Sequence, residues 1–72
     1  SGDGLVHDSS RRFYISEVMF GRVTRYEGDG SHPVLLSADL GLQSAADIYV
    51  DEPHGQLIIP DSKAGQLVFI GL

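Results

Sequence analysis

The chain contains an internal repeat, and that repeat narrows its possible folds more than any other feature. Leu5-Val6-His7-Asp8 aligns with Ile48-Tyr49-Val50-Asp51, Phe13-Tyr14-Ile15-Ser16-Glu17 with Leu57-Ile58-Ile59-Pro60-Asp61, and Gly21-Arg22-Val23 with Gly65-Gln66-Leu67. The offset is 43 residues in the first block and 44 in the next two, a slip absorbed by one extra residue in the turn at 51–55. Self-similarity at a fixed spacing is the signature of stacked units, each burying its apolar surface against the next.

Each unit reads as a set of short strands. Apolar runs rich in β-branched and aromatic residues, such as Phe13-Tyr14-Ile15, Ile48-Tyr49-Val50, Leu57-Ile58-Ile59 and Leu67-Val68-Phe69-Ile70, alternate with turn formers. The turns are Asp8-Ser9-Ser10, Glu27-Gly28-Asp29-Gly30, the 51–55 segment, and Asp61-Ser62-Lys63-Ala64-Gly65. The spacing predicts strands at 5–7, 13–16, 22–26 and 33–37 in a first unit, and at 48–50, 57–59 and 66–70 in a second. The 38–47 stretch has too few apolar repeats, and a glycine at 41, for a helix. A period of 40 to 50 residues with several strands and no helix is that of β-propeller blades. The expected fold is therefore all-β: a two-blade segment of a propeller with four-stranded antiparallel blades. The first blade occupies 1–40 and the second, incomplete one 41–72. Two blades cannot close a ring, so further blades are expected from more of a longer chain or from copies of this one.

Size and composition agree with a unit that leans on neighbours. A chain of 72 residues hides only about 60% of its unfolded surface, and with no cysteine it has neither disulfides nor thiolate zinc sites to compensate. Ten carboxylates against five basic residues give a formal charge of −5, with Arg11, Arg12, Arg22 and Arg25 in no basic stripe. Nucleic acid, whose binding rests on clustered Lys and Arg, is excluded on that footprint. No apolar run approaches the roughly 18 residues of a membrane helix and no basic-then-apolar leader opens the sequence, so no membrane partner is expected.

The residues that build the repeat resemble a known pattern. Gly2-Asp3-Gly4-Leu5-Val6-His7-Asp8, followed by Arg12-Phe13-Tyr14-Ile15-Ser16, is similar to the first blade of gluconolactonase-like, regucalcin-type propellers. The 46–51 and 57–65 segments are similar to NHL repeats. The resemblance implies six blades, and a divalent cation near the central channel held by Glu, Asn and Asp from different blades. Such an ion would polarise a lactone carbonyl while a carboxylate helps to activate water. Asp3 stands at the Glu position, Asp47 one residue from the Asp position, and the sequence has no asparagine.

In a propeller the loops entering the first strand of a blade and leaving the second share one rim. Asp3, Asp47, Glu17 and Asp61 are thus the candidate ligands of an oxygen-preferring cation such as Ca²⁺, or of Zn²⁺ or Mn²⁺. Carboxylates at strand ends also serve as turn formers and solvated edges, so these four have a structural reading beside the metal one. Asp8 and Asp51, equivalent in the repeat, are expected to accept hydrogen bonds from the backbone of the following turn. His7 aligns with Val50 and is expected inside a blade or bonded to a neighbour. His32 and His54 fall in turns, and the three histidines lack metal-binding spacing. The aromatic residues are expected mostly in the core, apart from Phe20, which with Met19 is expected on a rim or interface. The primary functional expectation is a ligand- or partner-binding scaffold, active once its ring is completed. The alternative is part of a divalent-metal-dependent lactone or ester hydrolase.

Overall fold

The computed structural model describes residues 4–38, 40–45 and 47–72, leaving Asp3 outside. Within them lie seven strands: β1 (Gly4–His7), β2 (Phe13–Glu17), β3 (Arg22–Tyr26), β4 (Val34–Leu35), β5 (Tyr49–Asp51), β6 (Gln56–Asp61) and β7 (Gln66–Gly71). All neighbours are antiparallel, forming a four-stranded sheet in the order β1-β2-β3-β4 and a three-stranded sheet in the order β5-β6-β7. The protein is all-β, and each strand expected from the sequence is present. The 38–47 segment contains no helix among its described residues; short 3-10 turns occupy Val18–Phe20 and Glu52–His54.

β4 is shorter than the sequence predicts. Pro33 has no N–H to give a ladder. At the other end the Ser37 hydroxyl, not a backbone carbonyl, accepts the Val23 N–H at 3.0 Å. The ladder therefore stops where a side chain takes over.

The sequence repeat is a repeat of hydrogen-bond register. Val6 opposite Tyr14 and His7 opposite Phe13 in the first sheet become Tyr49 opposite Ile58 and Val50 opposite Leu57 in the second. Likewise Phe13 opposite Tyr26 becomes Leu57 opposite Ile70. A one-residue slip would turn every side chain to the other face, so the shared register means equivalent residues occupy equivalent faces.

The two sheets bury opposite faces of this common unit. The four-stranded sheet turns Val6, Tyr14, Ser16 and Val23 inward, whereas the three-stranded sheet turns Val50, Leu57, Ile59 and Asp61 inward. Tyr14, Val23, Ile48, Leu57 and Ile59, with Ala45 from the connecting segment, form the buried core, and Val6, Leu36, Leu42, Val50, Val68 and Ile70 pack around it. Each large aliphatic side chain buried there contributes about 1.5–3 kcal/mol. Between the sheets, β1 lies in contact with β5.

Two expectations about bulk are corrected by this arrangement. Of the aromatics, Tyr14 alone is in the buried core; Phe13 and Tyr26 lie on the outward face of the first sheet, and Tyr49 and Phe69 on that of the second. His7 is exposed on the same outward face, its ring 5.9 Å from Phe13, which in turn stacks on Tyr26 at 5.1 Å. Alternation along β1 and β2 sends these rings away from the partner sheet, because the face that is inner in one unit is outer in the next.

Candidate rim groove and its carboxylates

The segment that links the sheets packs against the turn between β2 and β3. The β2–β3 turn ends on Gly21, whose φ of +57° lies in the left-handed region, and Leu42 packs against it. A Cβ on Gly21 would sit 2.1 Å from the Leu42 carbonyl oxygen, so only glycine allows this approach. Gly65, its repeat equivalent, shares the left-handed conformation at φ +70° but faces open space. The glycine serves the turn in both units and the close approach in one.

Where the segment crosses, an open groove of about 230 Å³ forms between Phe20, Gly21, Arg22, Leu35, Ser37 and Leu42. Met19 and Phe20 beside it are 84% and 61% exposed, as expected from their place outside the strands. The Arg22 guanidinium lies 4.9 Å over the Phe20 ring, a cation–π contact that orients it at the groove mouth. Its other neighbour is Glu17, 3.8 Å away.

The candidate carboxylates divide into different environments. Asp61, at the end of β6, is completely buried: one oxygen accepts the Gln43 N–H at 2.9 Å, the other the Ser44 N–H at 3.1 Å, the Ser44 hydroxyl at 3.0 Å and the Ala64 N–H at 3.3 Å. Ser44 Oγ in turn accepts the Lys63 N–H. The Gln43 N–H, aided by the Ser44 and Ala64 donors and opposed by burial, holds the Asp61 carboxyl below its usual range. Glu17, its equivalent in the first sheet, instead pairs across the strand with Arg22. Asp47 is exposed on the linking segment, and Asp3 lies outside the described residues. Among the described residues no three acidic or histidine side chains gather at a distance that could hold a metal ion.

Asp8 and Asp51 are matched supports. Asp8 accepts the backbone N–H groups of Ser10 and Arg12, Arg12 Nε at 3.1 Å and the Tyr14 hydroxyl at 2.6 Å. Burial works to raise its pKa, but the Tyr14, Arg12 and Ser10 hydrogen bonds and the Arg12 charge outweigh it and hold the carboxyl below the usual range. Tyr14 is pushed up to about 12 by burial and by its bond to Asp8. In the second unit Gln56, standing where Arg12 stands, donates to Asp51 at 2.9 Å, and His54 adds a second contact. The expected acceptance of backbone N–H groups from the following turn is met at Asp8 and not at Asp51, whose carboxylate takes side-chain partners instead.

The sequence singled out Asp61 and Glu17 but not their partners Gln43, Ser44 and Arg22, nor Leu42 against Gly21. Leu42, Gln43 and Ser44 lie in the connecting segment, where periodicity carries no signal, and Arg22 opens β3 at a position whose repeat equivalent is Gln66. Compared with known proteins, the chain matches no protein-family model and no curated protein.

Proposed function

We propose that this chain is a two-blade segment of a β-propeller that serves as a partner-binding scaffold without chemistry of its own. The observation that carries the reading is the identity of register in the two sheets combined with their packing through opposite faces. Units related in this way stack in one direction, as blades do around an axis. The contact between β1 and β5 supports an innermost place for these two strands. Polar groups at the rim are engaged internally, Asp61 by backbone donors and Glu17 by Arg22, which favours a structural rim over a reaction centre.

The recognition surface is the groove at Phe20 and Arg22. At about 230 Å³ it is smaller than pockets for drug-sized ligands and has room for one side chain of a protein partner. Phe20, Leu35 and Leu42 supply apolar wall, and Arg22 at the mouth can donate to a carbonyl or carboxylate beside that side chain.

The test is selection of binders from a displayed random-peptide library, followed by titration against Phe20→Ala and Arg22→Ala. Aromatic and Arg anchors at interface centres carry much of the binding energy, so each variant is expected to weaken the selected peptides by about 10-fold or more at unchanged melting temperature. Peptides that bind both variants as well as the parent chain would remove the groove from the reading. A saturable rise in melting temperature with Ca²⁺, Zn²⁺ or Mn²⁺ would replace the scaffold with a metal site.

A further inference from the structure

The repeat relation says what belongs on the two faces the chain leaves open. Antiparallel sheets with one solvated face alternate apolar inward and polar outward. Here the outward face of β5-β6-β7 presents Tyr49, Ile58, Pro60, Leu67 and Phe69. Under the 43- and 44-residue offsets these are the equivalents of Val6, Tyr14, Ser16, Val23 and Arg25, the inward face of the first sheet. The outward face of β1-β2-β3 presents Leu5, Phe13, Ile15 and Tyr26, which are the equivalents of Ile48, Leu57, Ile59 and Ile70 on the inward side of the second sheet. Leu5, Tyr49, Leu67 and Phe69 are each more than half exposed. Both open faces thus carry apolar residues at the positions that make the interface inside the chain.

We propose that a second copy of this chain docks head to tail, seating the outward face of its four-stranded sheet on the outward face of the three-stranded sheet of the first. The occupant follows from the intrachain interface: the sheet already seated on the Leu57-Ile59-Ile70 surface is the equivalent, residue by residue, of the Tyr49-Ile58-Leu67-Phe69 surface that remains open. Contact between two different patches leaves one of each free on every pair, so the assembly grows until it closes as a ring or continues as a filament. This deepens the blade-segment reading and rests on it.

Complementary charge variants test the proposal on the full chain. Leu5→Lys with Ile15→Lys blocks the first open face, and Leu67→Lys with Phe69→Lys blocks the second. By light scattering on a sizing column the parent chain is expected at a discrete multiple of 7.8 kDa, or larger, and each double variant at 7.8 kDa. Mixed in equal amounts, the variants are expected to form a dimer at twice the monomer mass, because each retains the face the other lacks. Circular dichroism of each variant, and Leu5→Lys alone as the milder first-face change, separate lost docking from lost folding. A parent chain that stays folded and monomeric at its highest soluble concentration would overturn head-to-tail docking, while peptide binding at the Phe20 and Arg22 groove would leave the scaffold reading standing. A dimer that survives in one variant alone would overturn it too, since that result belongs to a contact between identical faces.

Discussion

Replacing Gly21 with alanine is expected to unfold much of the molecule, whereas the same change at Gly65 is expected to be mild. Both glycines adopt the left-handed conformation at the turn between the second and third strands of their units, and alanine there costs about 1–2 kcal/mol. At Gly65 nothing lies within contact distance of the added methyl, so the cost ends there. At Gly21 the methyl would meet the Leu42 carbonyl oxygen at 2.1 Å, and since that is backbone, no side-chain rotation relieves it. The linking segment must move, taking with it Leu42, which packs on the core, and the nearby Ala45 and Ile48 within the core. Loss of that packing raises the total to about 4 kcal/mol or more. In a domain of this size each kcal/mol shifts the midpoint by about 4–8 °C, so Gly65→Ala should melt roughly 5–15 °C lower and Gly21→Ala at least 15 °C lower. Thermal melts of the two variants side by side check this. Equal losses would mean that the approach of Leu42 contributes nothing.

That asymmetry marks the limit of what the repeat encodes. Strand positions were legible because alternating apolar residues between turn formers repeat at a fixed offset, and the offset transferred to the register of both sheets. Which face each sheet buries was not legible. Phe13, Ile15 and Tyr26 look like core residues by type, and their equivalents Leu57, Ile59 and Ile70 are inward, but in the first sheet the opposite set faces the partner. Apolar residues on both faces of a strand leave the choice to tertiary packing, so a sequence meant to be sandwiched on both sides reads the same whichever side is covered.

The strand-end carboxylates were legible as candidates, and their surroundings were not. Topology led to the expectation that Asp3, Asp47, Glu17 and Asp61 share one rim; among the described residues they do not gather, and the connecting segment instead brings Gln43 and Ser44 onto Asp61 and Leu42 onto Gly21. Whether Asp61 faces a cation, solvent or backbone N–H groups depends on the path of residues 40–45, which follow no periodic pattern. Asp61 and Glu17 are equivalent in sequence yet differ in setting, because a linking segment lies over one and Arg22 lies beside the other. Composition cannot distinguish these cases.

The Asp61 latch predicts how stability responds to acid. Its carboxylate gathers donors from Gln43, Ser44 and Ala64, and these hold its pKa below the ordinary 3.8. A carboxyl depressed in the folded state adds stability that is present above the unfolded value and is lost as pH falls through the folded value. Asp8 and Asp51 are shifted the same way, so the stability plateau should end on the acid side below about pH 4. On the alkaline side Tyr14 is raised, to about 12, so its contribution is complete below pH 10 and lost as pH rises through about 12. Asp61→Asn retains one acceptor oxygen and replaces the other with a donor that faces the Gln43 or Ser44 N–H. Buried donors left without an acceptor are costly, and at pH 7 the variant should melt on the order of 10 °C lower, while Asp47→Asn at an exposed site should change little. The gap between parent and Asp61→Asn should then narrow as pH falls below 4, because protonation deprives the parent of the interaction the variant never had. Melting curves across pH 2.5 to 7 measure the gap directly. A gap that stays constant would mean that the Asp61 charge does not hold the segment, and would return the linking segment to packing at Leu42 and Ala45 alone.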